Sequence, residues 1–155
     1  MAAKSPLMEQ YKSIKNEHKD AFLFYRLGDF YELFYDDAVT VSHELELTLT
    51  GKNAGPEGRV PMCGIPYHAA ETYIYRLVQK GYKVAICEQM EDPKKAKGLV
   101  KRDVIRIVTP GTILFENSIA DKSNNYLAYL YETDNDIDAV LADISTGECL
   151  SLIHI

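Results

Sequence analysis

Phe30 and Glu32 stand two residues apart in Gly28-Asp29-Phe30-Tyr31-Glu32-Leu33-Phe34, which puts an aromatic ring beside a carboxylate just after an apolar run and a glycine. Read locally, Asp29 is a good helix N-cap with Glu32 three residues on, an acidic capping box that starts a helix at Phe30. A ring at such a tip serves either as core packing, extending the stripe Phe34, Ala38, Val41 and Leu45, or as a flat probe that stacks on something planar. Spacing alone leaves both open.

A second carboxylate with chemical potential is Asp143, inside an apolar strand in the stretch 141–147. Burying an aspartate is costly unless it is paired or bound to a metal, and a magnesium-dependent nuclease holds such an aspartate on its first strand. That chemistry needs further carboxylates from later strands. The simpler reading is an aspartate that satisfies the turn after it. Other catalytic patterns are missing. The glycine-rich stretch Gly51–Gly58 has neither phosphate-loop spacing. His18, His43, His68 and His154 show no metal-ligand spacing, and His68 reads as structural. Cys63, Cys87 and Cys149, odd in number and far apart, read as reduced buried thiols.

The formal net charge of −6 argues, taken whole, against a nucleic-acid partner. The charge is unevenly spread. Residues 1–106 carry 16 Lys and Arg against 15 Asp and Glu, whereas the remainder carries one against eight. Lys94, Lys95, Lys97, Lys101, Arg102 and Arg106 make a local basic run, opposed only by Asp92 and Asp103.

These residues need elements to place them. Ser5-Pro6 starts a helix that carries Leu7, Met8, Tyr11 and Ile14 at helical spacing to about Lys19. Ala21–Leu27 reads as a buried strand, and the helix from Asp29 runs to about Leu45. Leu45–Thr50 alternates as a half-exposed strand, residues 51–59 turn the chain, and Val60–Ile65 returns as a strand that Pro61 places at an edge. A helix over about Ala69–Lys80 with Tyr73, Ile74, Leu77 and Val78 inward ends at Gly81. Strands follow at Tyr82–Glu88 and Asp103–Thr109, with the basic loop between them. The fold class is therefore α/β, a mixed sheet flanked by helices, over residues 1–112. Residues 113–124 read as a linker. Three further strands, near Tyr126–Tyr131, Ala139–Ile144 and Cys149–Ile153, begin an incomplete second domain over 125–155. No apolar run approaches the roughly 20 residues a bilayer requires, and the first residues lack an apolar signal segment, so the expected location is cytoplasmic with no membrane contact.

The stretch Gly28–Phe34 resembles the N-terminal mismatch-recognition domain of the bacterial MutS family of DNA mismatch repair proteins. So do Tyr35-Asp36-Asp37-Ala38, Ile65-Pro66-Tyr67-His68, Ala85-Ile86-Cys87-Glu88-Gln89, the run 104–112 and Asp143-Ile144-Ser145-Thr146-Gly147, in the same order. The resemblance implies that Phe30 enters the minor groove and stacks on a mispaired or unpaired base while Glu32 hydrogen-bonds that base. With it, Lys52, Lys101 and Arg102 become candidates for backbone contact and Met62 for the groove near Phe30. It further implies binding rather than catalysis in this stretch. ATP and magnesium would be used elsewhere in a longer, homodimeric, nucleoid-associated protein that recruits a MutL-type partner. The tail would open a ribonuclease H-like connector domain. The alternatives are a metal-dependent nuclease-like domain and a purely structural α/β domain with Phe30 in its core.

Overall fold

A computed structural model describes residues 5–96, 98–110, 126–132, 137–143 and 147–152. The expected linker, Lys97, the turn Asp134–Asp136, Ser145, Thr146 and His154 lie outside them. Internal contacts divide the chain into two units, Met1–Pro110 and Gly111–Ile155.

In the first unit, helix α1 (Pro6–Glu17) begins at proline, whose missing N–H costs nothing in a first turn, and buries Met8 and Tyr11. Strand β1 (Phe22–Leu27) follows, and here the expected helix start fails. Gly28 and Asp29 form a two-residue hairpin turn, and Phe30–Phe34 is strand β2, with Leu27 opposite Phe30 and Tyr25 opposite Glu32. Gly28 takes φ +58 while Asp29 stays at negative φ, the II′ pattern whose twist matches the flanking strands. Backbone pairing on both sides of β2 outweighs one capping interaction. Helix α2 starts only at Tyr35 and runs to Leu45.

Strand β3 (Thr50–Asn53) lies later than the expected Leu45–Thr50. The supposed loop supplies it, together with a short 3-10 turn at Gly55–Glu57. Strand β4 (Arg59–Pro66) is interior, between β3 and β2. Pro61 is tolerated there because the β2–β4 ladder ends at Phe34–Met62, so it has a strand neighbour on the β3 side alone. After a 3-10 turn at Tyr67–Ala69, helix α3 (Ala70–Gln79) buries Ile74, Leu77 and Val78. Strands β5 (Val84–Gln89) and β6 (Arg102–Val108) complete a mixed sheet of order β3-β4-β2-β1-β5-β6, in which β1 and β5 are parallel and the other pairs antiparallel.

Alternation along each strand sorts the core into two layers. Leu23, Tyr25, Phe34, Ala85 and Cys87 pack under α1, where the Tyr11 ring meets Tyr25 at 5.4 Å and Phe34 at 4.9 Å, both edge-on. Phe24, Tyr31, Leu33 and Ile65 point the other way, beneath α2 and α3, and are buried. Asp37 ties the layers together. Its Oδ2 accepts from the Leu23 N–H at 3.0 Å and pairs with Lys15 Nζ at 2.9 Å.

The second unit is an antiparallel sheet of β7 (Tyr126–Glu132), β8 (Ile137–Asp143) and β9 (Cys149–Leu152), with β8 in the middle. Asp143 is buried on β8, and backbone bonds close the turn after it, Gly147 N–H to Asp143 O at 2.7 Å and Asp143 N–H to Glu148 O at 2.8 Å. Cys149 is exposed, against expectation, because it sits on an edge strand; Cys63 and Cys87 are free and buried as expected.

Candidate functional site

The tip of the β1–β2 hairpin carries Phe30, and its exposure decides one question at once. Phe30 is 45% exposed. A core role for Phe30 is therefore excluded, because β2 alternates and hands the two buried layers Tyr31, Leu33 and Phe34 instead. Phe30, Glu32 and Phe34 share the α1 face of the sheet, but α1 covers only Phe34. The uncovered end of that face holds Phe30 and Glu32 side by side.

Their surroundings come from β4 and β3. Pro66 is opposite Phe30, and Gly64 is opposite Glu32. Since Gly64 has no side chain, the Phe30 ring lies across it: a Cβ there would stand 3.6 Å from Phe30 Cδ1. Lys52 of β3 projects from the same face. Its ammonium passes 5.4 Å from the Phe34 ring centroid and forms an ion pair with Glu32 Oε2. The side chains of Lys52 and Glu32 are 34% and 19% exposed, so the pair is partly withdrawn from water.

The hairpin tip is also braced from behind. Arg26 stacks its guanidinium 4.0 Å from the Tyr67 ring centroid and approaches Glu88 at 3.5 Å, while the Tyr31 hydroxyl donates to Glu88. Burial, reinforced by that acceptor, pushes the Tyr31 phenol up to about 12. The Tyr67 N–H donates to Asp29 O at 2.9 Å, so the start of the Tyr67–Ala69 turn is hydrogen-bonded to the hairpin. Sequence reasoning missed these braces and the Lys52–Glu32 pair, since each joins distant strands. Gly28-Asp29 between two apolar runs was the one local signal for them, as a hairpin marker.

Comparison with known proteins then places the chain. A family model described as MutS domain I matches residues 5–117. The chain belongs to the MutS family. It is 62% identical over 146 residues, 94% of its length, to the DNA mismatch repair protein MutS of Clostridium beijerinckii. It is 60% identical over 147 residues, 95% of its length, to that of Alkaliphilus oremlandii. It spans about a sixth of the curated relatives it matches, 16% and 17% of these two.

Within this MutS domain I the remaining expected site residues separate. Lys101 is exposed, and its backbone N–H donates to Glu91 Oε1 at 2.7 Å, leaving the ammonium outside. Arg102, the other expected backbone contact, is placed inside as a strut. It is 7% exposed, its guanidinium donates to Arg26 O at 2.7 Å, Val100 O at 2.9 Å and Gln10 Oε1 at 3.1 Å, and it lies 5.0 Å from the Tyr25 ring centroid. Adjacent residues on a strand face opposite ways, and Arg102 takes the side covered by α1. Met62 lies away from the hairpin tip. It pairs with Phe34 and packs into the α1 core, four residues and thus about 13 Å along β4 from Pro66, the partner of Phe30. Among the described residues there is no group of three or more His, Cys, Asp or Glu suited to a metal ion, and no helix long and apolar enough to cross a membrane.

Proposed function

We propose that this chain recognises mispaired or unpaired bases in duplex DNA, inserting Phe30 at the minor groove while Glu32 hydrogen-bonds the displaced base, as the opening step of mismatch repair. The observation that carries the reading is the half-exposed Phe30 ring on a braced hairpin tip, with Glu32 beside it on the same sheet face. A mispaired base unstacks at lower cost than a paired one, and a wedge between base steps kinks the duplex where deformation is easiest. Selectivity then comes from deformability, so one ring serves many mismatches and small loops. Lys101 contributes backbone contact, which sets register without reading sequence.

In this reading the stretch works by binding. ATP and magnesium act elsewhere in a longer homodimeric protein, cytoplasmic and nucleoid-associated, that recruits a MutL-type partner. Residues 1–112 are the recognition domain, 113–124 a linker and 125–155 the opening strands of a connector domain. No specific observation favours the metal-dependent nuclease. The deciding experiment is a competition between mismatched and matched duplexes using the full-length protein. Phe30→Ala should bring mismatched affinity down to the matched level. A preference that survives Phe30→Ala rules the insertion out.

A further inference from the structure

We infer that Lys52 is the positioning residue of Glu32: its ammonium holds the carboxylate by Oε2, offsets its charge beside the duplex and leaves Oε1 to accept from a base. The inference rests on the reading of Phe30 and Glu32 as the mismatch contact. A lysine in a loop or edge strand of a DNA-binding domain would ordinarily be assigned to a phosphate, and the geometry assigns it differently. Lys52 is paired with Val60, whereas Glu32 faces Gly64 four residues further along β4. The lysine stem therefore runs along the sheet, over the Phe34 ring, to reach the carboxylate. Gly64 and the exposed end of the face leave that path open.

The physical need is plain. An ionised carboxylate pressed towards a phosphate backbone is repelled, and in a partly dry interface that repulsion exceeds its value in water. A salt-bridged carboxylate presents little net charge, is locked in one rotamer by a charge-assisted bond, and still has an oxygen able to accept. Lys52 thereby lets Glu32 approach the duplex with its charge offset by a partner.

The test is a double-mutant cycle in the full-length protein, read as dissociation constants for mismatched and matched duplexes. Lys52→Met keeps the stem over Phe34 and removes the charge. It should weaken mismatched binding about tenfold when Glu32 is present and much less when Glu32→Gln is already in place. Lys52→Arg should retain most of the affinity. An equal loss in both backgrounds overturns the inference, because it identifies an ammonium that contacts DNA on its own account. Phe30→Ala, measured alongside, reports the underlying reading separately. Lost mismatch preference there with an uncoupled cycle removes the Lys52 role alone, whereas retained preference removes the insertion mechanism on which that role depends.

Discussion

The Phe30 ring lies over Gly64, the residue directly opposite Glu32, with Cδ1 at 3.6 Å from where a Cβ would stand. That distance is ordinary van der Waals contact, so Gly64→Ala should be nearly silent. Gly64→Leu should leave the fold intact, since the glycine is in a strand at negative φ, yet tilt the ring and crowd Glu32. Mismatched binding should fall about tenfold, in line with the ~1–3 kcal/mol that an extra side chain costs in a packed site. Circular dichroism and duplex titration of the same sample check both halves.

Lys101 and Arg102 are neighbours with opposite exposure. Lys101→Ala should leave the melting temperature unchanged, weaken matched and mismatched binding alike, and reduce the salt slope of log affinity by about 1. Arg102→Ala should destabilise the domain by roughly 3 kcal/mol, because it strands part-buried carbonyls at Arg26 and Val100 and removes packing on Tyr25. Denaturant unfolding of the two variants separates the duties.

Asp37 deserves its burial only while its partners remain. Asp37→Ala leaves the Leu23 N–H without its acceptor and Lys15 without its ion pair, and should cost about 2–3 kcal/mol. Asp37→Asn keeps an acceptor for Leu23 and should cost less. The order of their denaturation midpoints is the check.

Stability should fall on the alkaline side. Burial raises the Cys63 and Cys87 thiols from 9.0, and the Tyr25 and Tyr31 phenols from 10.0, to about 12 in each case. Below about pH 9 folded and unfolded chains alike keep these protons, and the full stability is present. Between there and about 12 the unfolded chain loses them first, so stability declines as pH rises through that window. Denaturation midpoints that stay level throughout would contradict the burial of these groups.

Much of the architecture was legible in the sequence. The proline-started α1, the periodic face of α3 and the apolar runs of β1 and β5 follow from local patterning and lie within a few residues of expectation. The β2 segment was misread for a definable reason. An Asp followed three residues later by Glu is a capping signal, and Gly-Asp between apolar runs is a hairpin signal. Both occupy positions 28–32. Only the ladders from β2 to β1 and β4 select the second.

Position by position, the chain's chemistry was set by residue type: an aromatic and a carboxylate two apart, a lysine in a glycine-rich stretch, a basic run before the last strand of the first unit. A period of two, unlike a helical one, puts Phe30 and Glu32 on one face and sends Tyr31 and Leu33 to the other, which makes the ring exposed. The tertiary structure also decided where the cations point, because charge in a sequence carries no direction. Lys52 reaches across β4 to Glu32, Arg102 turns under α1, and Lys101 is left facing water. Such pairings join residues far apart in the chain, and only the closing of the sheet brings them within reach.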